Sequence, residues 1–280
     1  MKYSISLDIG ATKTLGGIVV GRKVLHKIKK PTQSNSGRAK IIKNIISIIE
    51  ELQSLQLGKL QKIGIGIAGQ VDIKKGIVLG TGNFSKDFKN IKLVDILTKK
   101  FGVPVQIDND VKAFTKAEAK LGAGRGLKNI IGLTFGTGIG GGIFMNNKMW
   151  RGKDNTAGEV GHMKISGKWI GNIPKCGNNN EKYCWESVAS GRAWHKLYKK
   201  YGKQKADKII VYNITTGLLN LCDILNPDVI VLGGGLIEHG DILSKIKKEF
   251  NSRCPQAWLK KTRIVKARLS DEAILFGALM

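Results

Sequence analysis

The stretch Leu7–Val20, LDIGATKTLGGIVV, carries an apolar run into a Gly/Thr turn and out again into a second apolar run, and Leu133–Met145, LTFGTGIGGGIFM, does the same. Each stretch predicts a β-hairpin with a polar tip. Glycine at such a tip lets backbone N–H groups approach a ligand with no Cβ in the way, and a threonine hydroxyl adds a donor. A single glycine-rich turn is commonly an ordinary hairpin loop. Two of the same pattern predict an internal duplication, with one hairpin opening each half of the protein and the two tips holding one polyphosphate between two domains.

Working outward from the first hairpin, Ile41, Ile45, Ile48, Leu52 and Leu55 fall on one face of an amphipathic helix over Gly37–Leu57. Lys62–Ala68, KIGIGIA, reads as a buried strand, and the turn Gly69-Gln70-Val71-Asp72 lies at its carboxyl end, where α/β proteins collect ligands. A helix at Val94–Phe101, a strand at Val103–Ile107 and a helix from Asp110 complete the first half. The second half repeats the plan with a hairpin from Ile130, a helix at Ala206–Leu225, a strand at Val229–Leu232, a helix at Asp241–Asn251 and a strand at Arg263–Lys266. Ile274, Leu275 and Ala278 recur at helical spacing in the last segment, which is expected to cross back to the first half. The expected architecture is α/β in two domains, a small one over 1–110 plus 270–280 and a larger one over 111–269, hinged near Asp110. Lys164–Tyr183, which contains Asn178-Asn179-Asn180, reads as a surface loop.

A chain of 280 residues can bury two cores of ordinary size. With 47 Lys+Arg against 21 Asp+Glu, the net charge of +26 favours anionic partners without choosing among them. The basic residues are scattered through helices and loops, which fits a solvated cationic surface better than a nucleic-acid footprint, so no specific nucleic-acid partner is expected. No uninterrupted apolar run approaches the roughly 18 residues of a membrane span, and Asp8 breaks the N-terminal apolar stretch, so neither membrane span nor secretory leader is expected. Four cysteines, Cys176, Cys184, Cys222 and Cys254, are too few for a disulfide scaffold, and a reducing cytoplasm is the expected setting.

Asp8, followed by Gly10-Ala11-Thr12-Lys13, sets a carboxylate at a strand end before a backbone cradle. Such a carboxylate can hold a Mg²⁺ shell on phosphate oxygens while Thr12 and Lys13 meet the phosphates; it can also simply cap its own turn. Thr137 and Gly138, in the second tip, are the matching phosphate candidates, and Gly233-Gly234-Gly235 after VIVL offers bare backbone for an adenine and ribose. Asp110, in Ile107-Asp108-Asn109-Asp110, starts a helix and on position alone is as good an N-cap as a general base. Beside two phosphate loops, the base reading prevails. Glu159 and His162 in AGEVGH and Glu186 after Cys184-Trp185 can accept and donate hydrogen bonds to several sugar hydroxyls, although a lone His is usually structural.

Taken together, these motifs resemble the ROK sugar kinases of the actin-like ATPase superfamily, whose fold is ribonuclease H-like. The resemblance runs from DIGATKT through the Gly69 turn, the Asn83 segment, NDV, GTGIGGG, GEVGH, the Cys/Glu/SG segment and NPDVIVLGGG to the C-terminal GA. It implies ATP-dependent phosphorylation of a hexose in an interdomain cleft, a homodimer and a place in carbohydrate metabolism. Asp110 matches the family's general base; Gly69, Asn83, Asn109, Glu159, His162 and Glu186 match its sugar contacts; Asp8 and the two loops match its Mg-ATP site. GEVGH is similar to the glucokinase form, which makes glucose the leading substrate. An N-acetylated hexosamine or fructose is the alternative acceptor. The family also has a zinc site of His and three Cys, and here Pro174 replaces the first Cys and an Asn-rich insert separates Cys176 from Cys184. His162, Cys176 and Cys184 are one ligand short, with Glu181 a candidate substitute, and structural zinc is not expected. Without zinc, packing through Trp169 and Trp185 is expected to hold the loop. The same family contains sugar-responsive DNA-binding repressors, so a non-catalytic regulator is the competing class. Those carry a helix-turn-helix domain ahead of the first hairpin, and the short lead before that strand here argues for the enzyme.

Overall fold

In the computed structural model, which describes residues 1–176, 182, 184–238, 240–254 and 261–280, the chain divides into two compact units. Unit 1 comprises Met1–Ala117, Arg151–Thr156 and Leu269–Met280; unit 2 comprises Glu118–Trp150 and Ala157–Arg268. The division therefore falls inside a helix beyond the expected Asp110, and a short strap, 151–156, belongs with unit 1 although its chain neighbours on both sides belong to unit 2.

Unit 1 is built on a five-stranded sheet in the order β3-β2-β1-β4-β7. Its strands are β1 (Lys2–Ile9), β2 (Lys13–Val20), β3 (Lys23–Pro31), β4 (Lys59–Ile67) and β7 (Val105–Asn109). A small separate hairpin joins β5 (Gln70–Asp72) to β6 (Ile77–Gly80). β1 pairs antiparallel with β2 and parallel with β4, and β4 pairs parallel with β7. Helices cover both faces, which is why KIGIGI in β4 is apolar almost without alternation. On one face lies α1 (Arg38–Gln53), burying Ile41, Ile45, Ile48, Ile49 and Leu52. On the other lies the C-terminal α8 (Ala273–Gly277), returned to this unit as the sequence indicates.

Adjacent glycines on β2 show the two-residue alternation of a strand. A Cβ at Gly16 would stand 2.6 Å from Ile48 of α1, and one at Gly17 would stand 2.8 Å from Leu275 of α8. Gly64 and Gly66 in β4 admit α8 in the same way, against Ala278 and Ile274. α2 (Leu93–Phe101) ends on the left-handed Gly102, and α3 (Asp110–Lys120) follows β7 directly.

Unit 2 repeats the plan with a sheet in the order β10-β9-β8-β11-β12, again with three antiparallel neighbours followed by two parallel ones. Its strands are β8 (Ile130–Phe135), β9 (Ile139–Met145), β10 (Lys148–Trp150), β11 (Val229–Gly233) and β12 (Arg263–Lys266). The helices are α4 (Trp185–Ala189), α5 (Gly191–Leu225), α6 (Gly235–Glu238) and α7 (Ile242–Arg253). α5 begins well before the expected Ala206 and is kinked at Gly202. By length and composition α5 could cross a membrane, but Ile210, Ile214, Leu218 and Leu221 are buried in the unit 2 core, as in a core helix.

At Gly277 a Cβ would lie 1.8 Å from the Ala113 carbonyl oxygen of α3. Gly277→Ala gains at most about 1 kcal/mol of helix propensity, whereas overpacking against backbone costs about 1–3 kcal/mol or more. The clash wins, and the melting temperature should fall by several degrees in a calorimetric scan. A rise would show that the contact between α8 and α3 is loose.

Candidate active site

The parallel register of unit 1 aligns Asp8 of β1, Gly66 of β4 and Asp108 of β7 across three strands, one residue before Ile9, Ile67 and Asn109 at the carboxyl edge. Burial pushes the Asp8 carboxyl up to about 7; the neighbouring Asp110 charge adds to the rise, Lys13 opposes it, and Asp271 adds a smaller increment.

Past β1 the chain turns tightly, with Gly10 N–H donating to Lys13 O at 3.1 Å. Thr12 and Lys13 are exposed at the tip and Ala11 is half-buried. The tip is buttressed by Thr32, just past β3: its Oγ1 donates to Gly10 O at 2.6 Å, its N–H donates to Thr12 O, and its hydroxyl meets Thr14 Oγ1 at 2.9 Å. Sequence reasoning passed over Thr32, since one threonine after a lysine-rich strand carries no pattern.

At the end of β7, Asn109 supplies the α3 cap that position alone left open for Asp110. Asn109 Oδ1 accepts from Val111 N and Lys112 N at 3.1 and 3.0 Å, while its Nδ2 donates to Gly69 O at 3.1 Å and to Asp110 Oδ1 at 3.0 Å. Asp110 Oδ1 also accepts from Val111 N at 2.9 Å. Asn109 thus spends its amide inside the protein, fixing Gly69 and Asp110. Gly69 is held against the β6 end, where a Cβ would meet Thr81 at 2.4 Å. Asn83 is exposed in the turn after β6. Lys112, only 2% exposed, was not foreseen as a buried charge.

In unit 2 the tip between β8 and β9 is closed by Gly136 N donating to Gly138 O at 3.0 Å, with Thr137 exposed. Glu186, in α4, braces it: Oε2 accepts from Ile139 N at 3.1 Å, and a Cβ at Gly138 would stand 2.2 Å from that oxygen. Arg192 pairs with Oε1 at 3.2 Å. Glu186 therefore ties the expected sugar segment to the expected phosphate tip. The glycines of GEVGH pack on β9, Gly158 against Gly141 O and Gly161 against Ile139 O, and leave Glu159 exposed and His162 half-buried at the end of a short 3-10 turn. Gly233 ends β11, Gly234 adopts φ +91 against the Phe135 backbone, and Gly235 opens onto free space.

Cys176 Sγ lies 3.4 Å from His162 Nδ1 and 3.8 Å from Glu186 Oε1, so a thiol links the two groups the sequence reading assigned to sugar. Among the described residues no three His, Cys, Asp or Glu side chains come together as a group that could hold a metal. Cys184 is buried beside Trp185, while the candidate substitute ligand Glu181 lies outside the described residues. Trp185 is fully buried, donating Nε1–H to Asn213 O at 2.9 Å and meeting Phe135 edge-on. Trp169 donates to Asn172 O at 3.1 Å.

The duplicated α/β fold carries a carboxylate-rich strand edge in unit 1 and a glycine-rich tip in each unit. The sequence profile of the ROK family matches residues 4–280, and the chain belongs to the ROK family. It is 29% identical to a glucokinase of Thermotoga maritima, covering 98% of this chain and 95% of that one. A xylose repressor of Bacillus spizizenii is 30% identical over 90% of this chain and 69% of its own length. Among solved structures, a ROK glucokinase from Streptomyces griseus in complex with glucose and AMPPNP superposes with a TM-score of 0.83 at 28% identity, covering 99% of this chain and 97% of that one. The fold is thus the two-domain actin-like ATPase fold.

In the unfolded chain Asp8 releases its proton near 3.8, and in the folded chain near 7. The folded state therefore binds the extra proton between those values, and stability falls as pH rises through that window. Without divalent cation, Asp8→Asn should melt higher than the wild type at pH 8, and the advantage should shrink by pH 5. Equal differences at both pH values in thermal denaturation would contradict the assignment.

Proposed function

We propose that this chain is an ATP-dependent hexose kinase that transfers the γ-phosphate to the 6-hydroxyl of a sugar, with glucose as the leading acceptor. The observation that carries the reading is the placement of Asp110 at the start of α3 beside Gly66, the register partner of Asp8, with Asn109 capping α3 in place of the base. The glucokinase relatives and the glucose complex of a structural neighbour support glucose as the sugar.

In this reading Gly69, Asn83, Glu159, His162 and Glu186 hold the sugar, with Asn109 locking Gly69 and Asp110 in place behind it. Asp110 takes the proton of the 6-hydroxyl as that oxygen bonds to the γ-phosphorus, and the bond from phosphorus to the β-bridging oxygen breaks, releasing ADP. Thr12, Lys13, Thr137 and the amides of Gly10, Ala11 and Gly138 meet the phosphates, and Gly233, Gly234 and Gly235 leave room for the adenosine. Asp8 would hold a magnesium ion bound with the nucleotide, and that ion would supply neutralising charge for the phosphates.

Asp110→Asn should bind sugar and nucleotide nearly as well as the wild type while kcat drops by at least about 10²-fold, the scale of a lost general base. Steady-state kinetics with isothermal titration of both ligands checks this. Turnover within a few-fold of the wild type would reduce Asp110 to a structural residue.

A further inference from the structure

Asp108 is 4% exposed, and the Arg151 guanidinium grips both its oxygens, NH1 to Oδ1 at 2.8 Å and NH2 to Oδ2 at 2.7 Å, with Lys116 at 3.5 Å. A fork on a buried carboxylate is the strong, orienting form of an ion pair. Arg151 opens the strap 151–156. Near the strap's other end, Asn155 sits in the left-handed region at φ 60, accepts from Arg151 NH1 at 2.8 Å and donates to Val71 O at 3.0 Å. The strap is thus pinned to the end of β7 at one point and to β5 at another.

These contacts close on themselves. Asp108 holds Arg151, Arg151 holds Asn155, Asn155 holds Val71, and the chain from Val71 leads back through Gln70 to Gly69, whose carbonyl accepts from Asn109. Asn109 N–H donates to Asp108 Oδ1 at 2.9 Å, completing a ring, and Asn109 Nδ2 holds Asp110. Every side chain in the ring is fixed by two or more partners. The strap then runs at Thr156 straight into Ala157, the first residue of AGEVGH.

We infer that Arg151 and Asn155 are positioning residues for the reaction, acting through Asp108 and Asn109 to hold Asp110 and Gly69 in register and tethering the strap that leads into Glu159 and His162. The inference rests on the kinase reading. A base displaced by about 1 Å can lose on the order of 10²-fold in rate, and loosening one ring member displaces it by less.

Arg151→Lys keeps the charge but cannot fork onto Asp108 and reach Asn155; Asn155→Ala opens the ring with no change in buried charge. Each should lower kcat on the sugar about 10-fold with the KM for ATP within about two-fold, and neither should lower turnover further in an Asp110→Asn background, because residues acting through one group do not add. Independently of catalysis, hydrogen exchange of the Asn109, Val111 and Lys112 amides, read by mass spectrometry, should speed up in both variants. Loss of thermal stability with unchanged kcat, or an undiminished further loss in the Asp110→Asn background, makes the ring merely structural and overturns the inference. If the wild type phosphorylates no sugar, the kinase reading itself fails; if the wild type is active and exchange is unchanged, the ring alone fails.

Discussion

The parallel register that brings Asp8, Asp108 and, directly after β7, Asp110 to one edge of the unit 1 sheet is the constraint on which the candidate site depends. Parallel pairing of three strands in register brings Asp8 and Asp108 to one edge with Gly66 between them. Burial holds the Asp8 proton to about 7, with Asp110 adding to the rise and Lys13 opposing it, while Asp108 in the same row is paired with Arg151 and Lys116. The two carboxylates have parted roles. Asp108 is tied down by cations of the chain and serves as an anchor, whereas Asp8 has Lys13 as its opposing cation and lies near the further carboxylates Asp110 and Asp271. The stability forgone at Asp8 is of the kind that active sites characteristically carry.

Duplication explains how one fold provides two kinds of loop. Both sheets place a hairpin at the same point in the same strand order, yet the first tip is braced by a neutral threonine, Thr32, and the second by a carboxylate, Glu186. A Cβ at Gly138 would displace that carboxylate, and glycine is demanded at Gly158 and Gly161 by direct backbone packing on β9. Much of the glycine pattern that looks like ligand binding is therefore also the packing that holds AGEVGH in place. The Cys176 thiol between His162 and Glu186 adds a weak polar bridge there, where the family resemblance leads one to look for metal.

Both hairpins, the strand-end carboxylates and the return of the C-terminal segment were legible because each rests on local periodicity or on a turn that only certain residues can make. β3 was not: its residues Lys23, Lys27, Lys29 and Lys30 suit an exposed edge strand, where lysines discourage pairing with other chains, and so hide the apolar alternation that marks a strand. The first stretch of α5 was missed because Gly202 interrupts the helical pattern. The strap was invisible for a different reason. Arg151 and Asn155 owe their meaning to Asp108 and Val71, far away in sequence, and no spacing rule connects them. Asn109 shows the same limit: its type suited a sugar contact, but only the geometry reveals that its amide is already committed.

The most direct test of the whole account is product analysis with the wild-type chain. Purified protein incubated with Mg-ATP and each of glucose, mannose, fructose, N-acetylglucosamine and N-acetylmannosamine should be followed by ³¹P and ¹³C NMR. The account predicts stoichiometric ADP and a phosphomonoester on the 6-oxygen, fastest with glucose. A sugar that binds without phosphoryl transfer to any acceptor in the panel would contradict it and mark the chain as a sugar-responsive regulator.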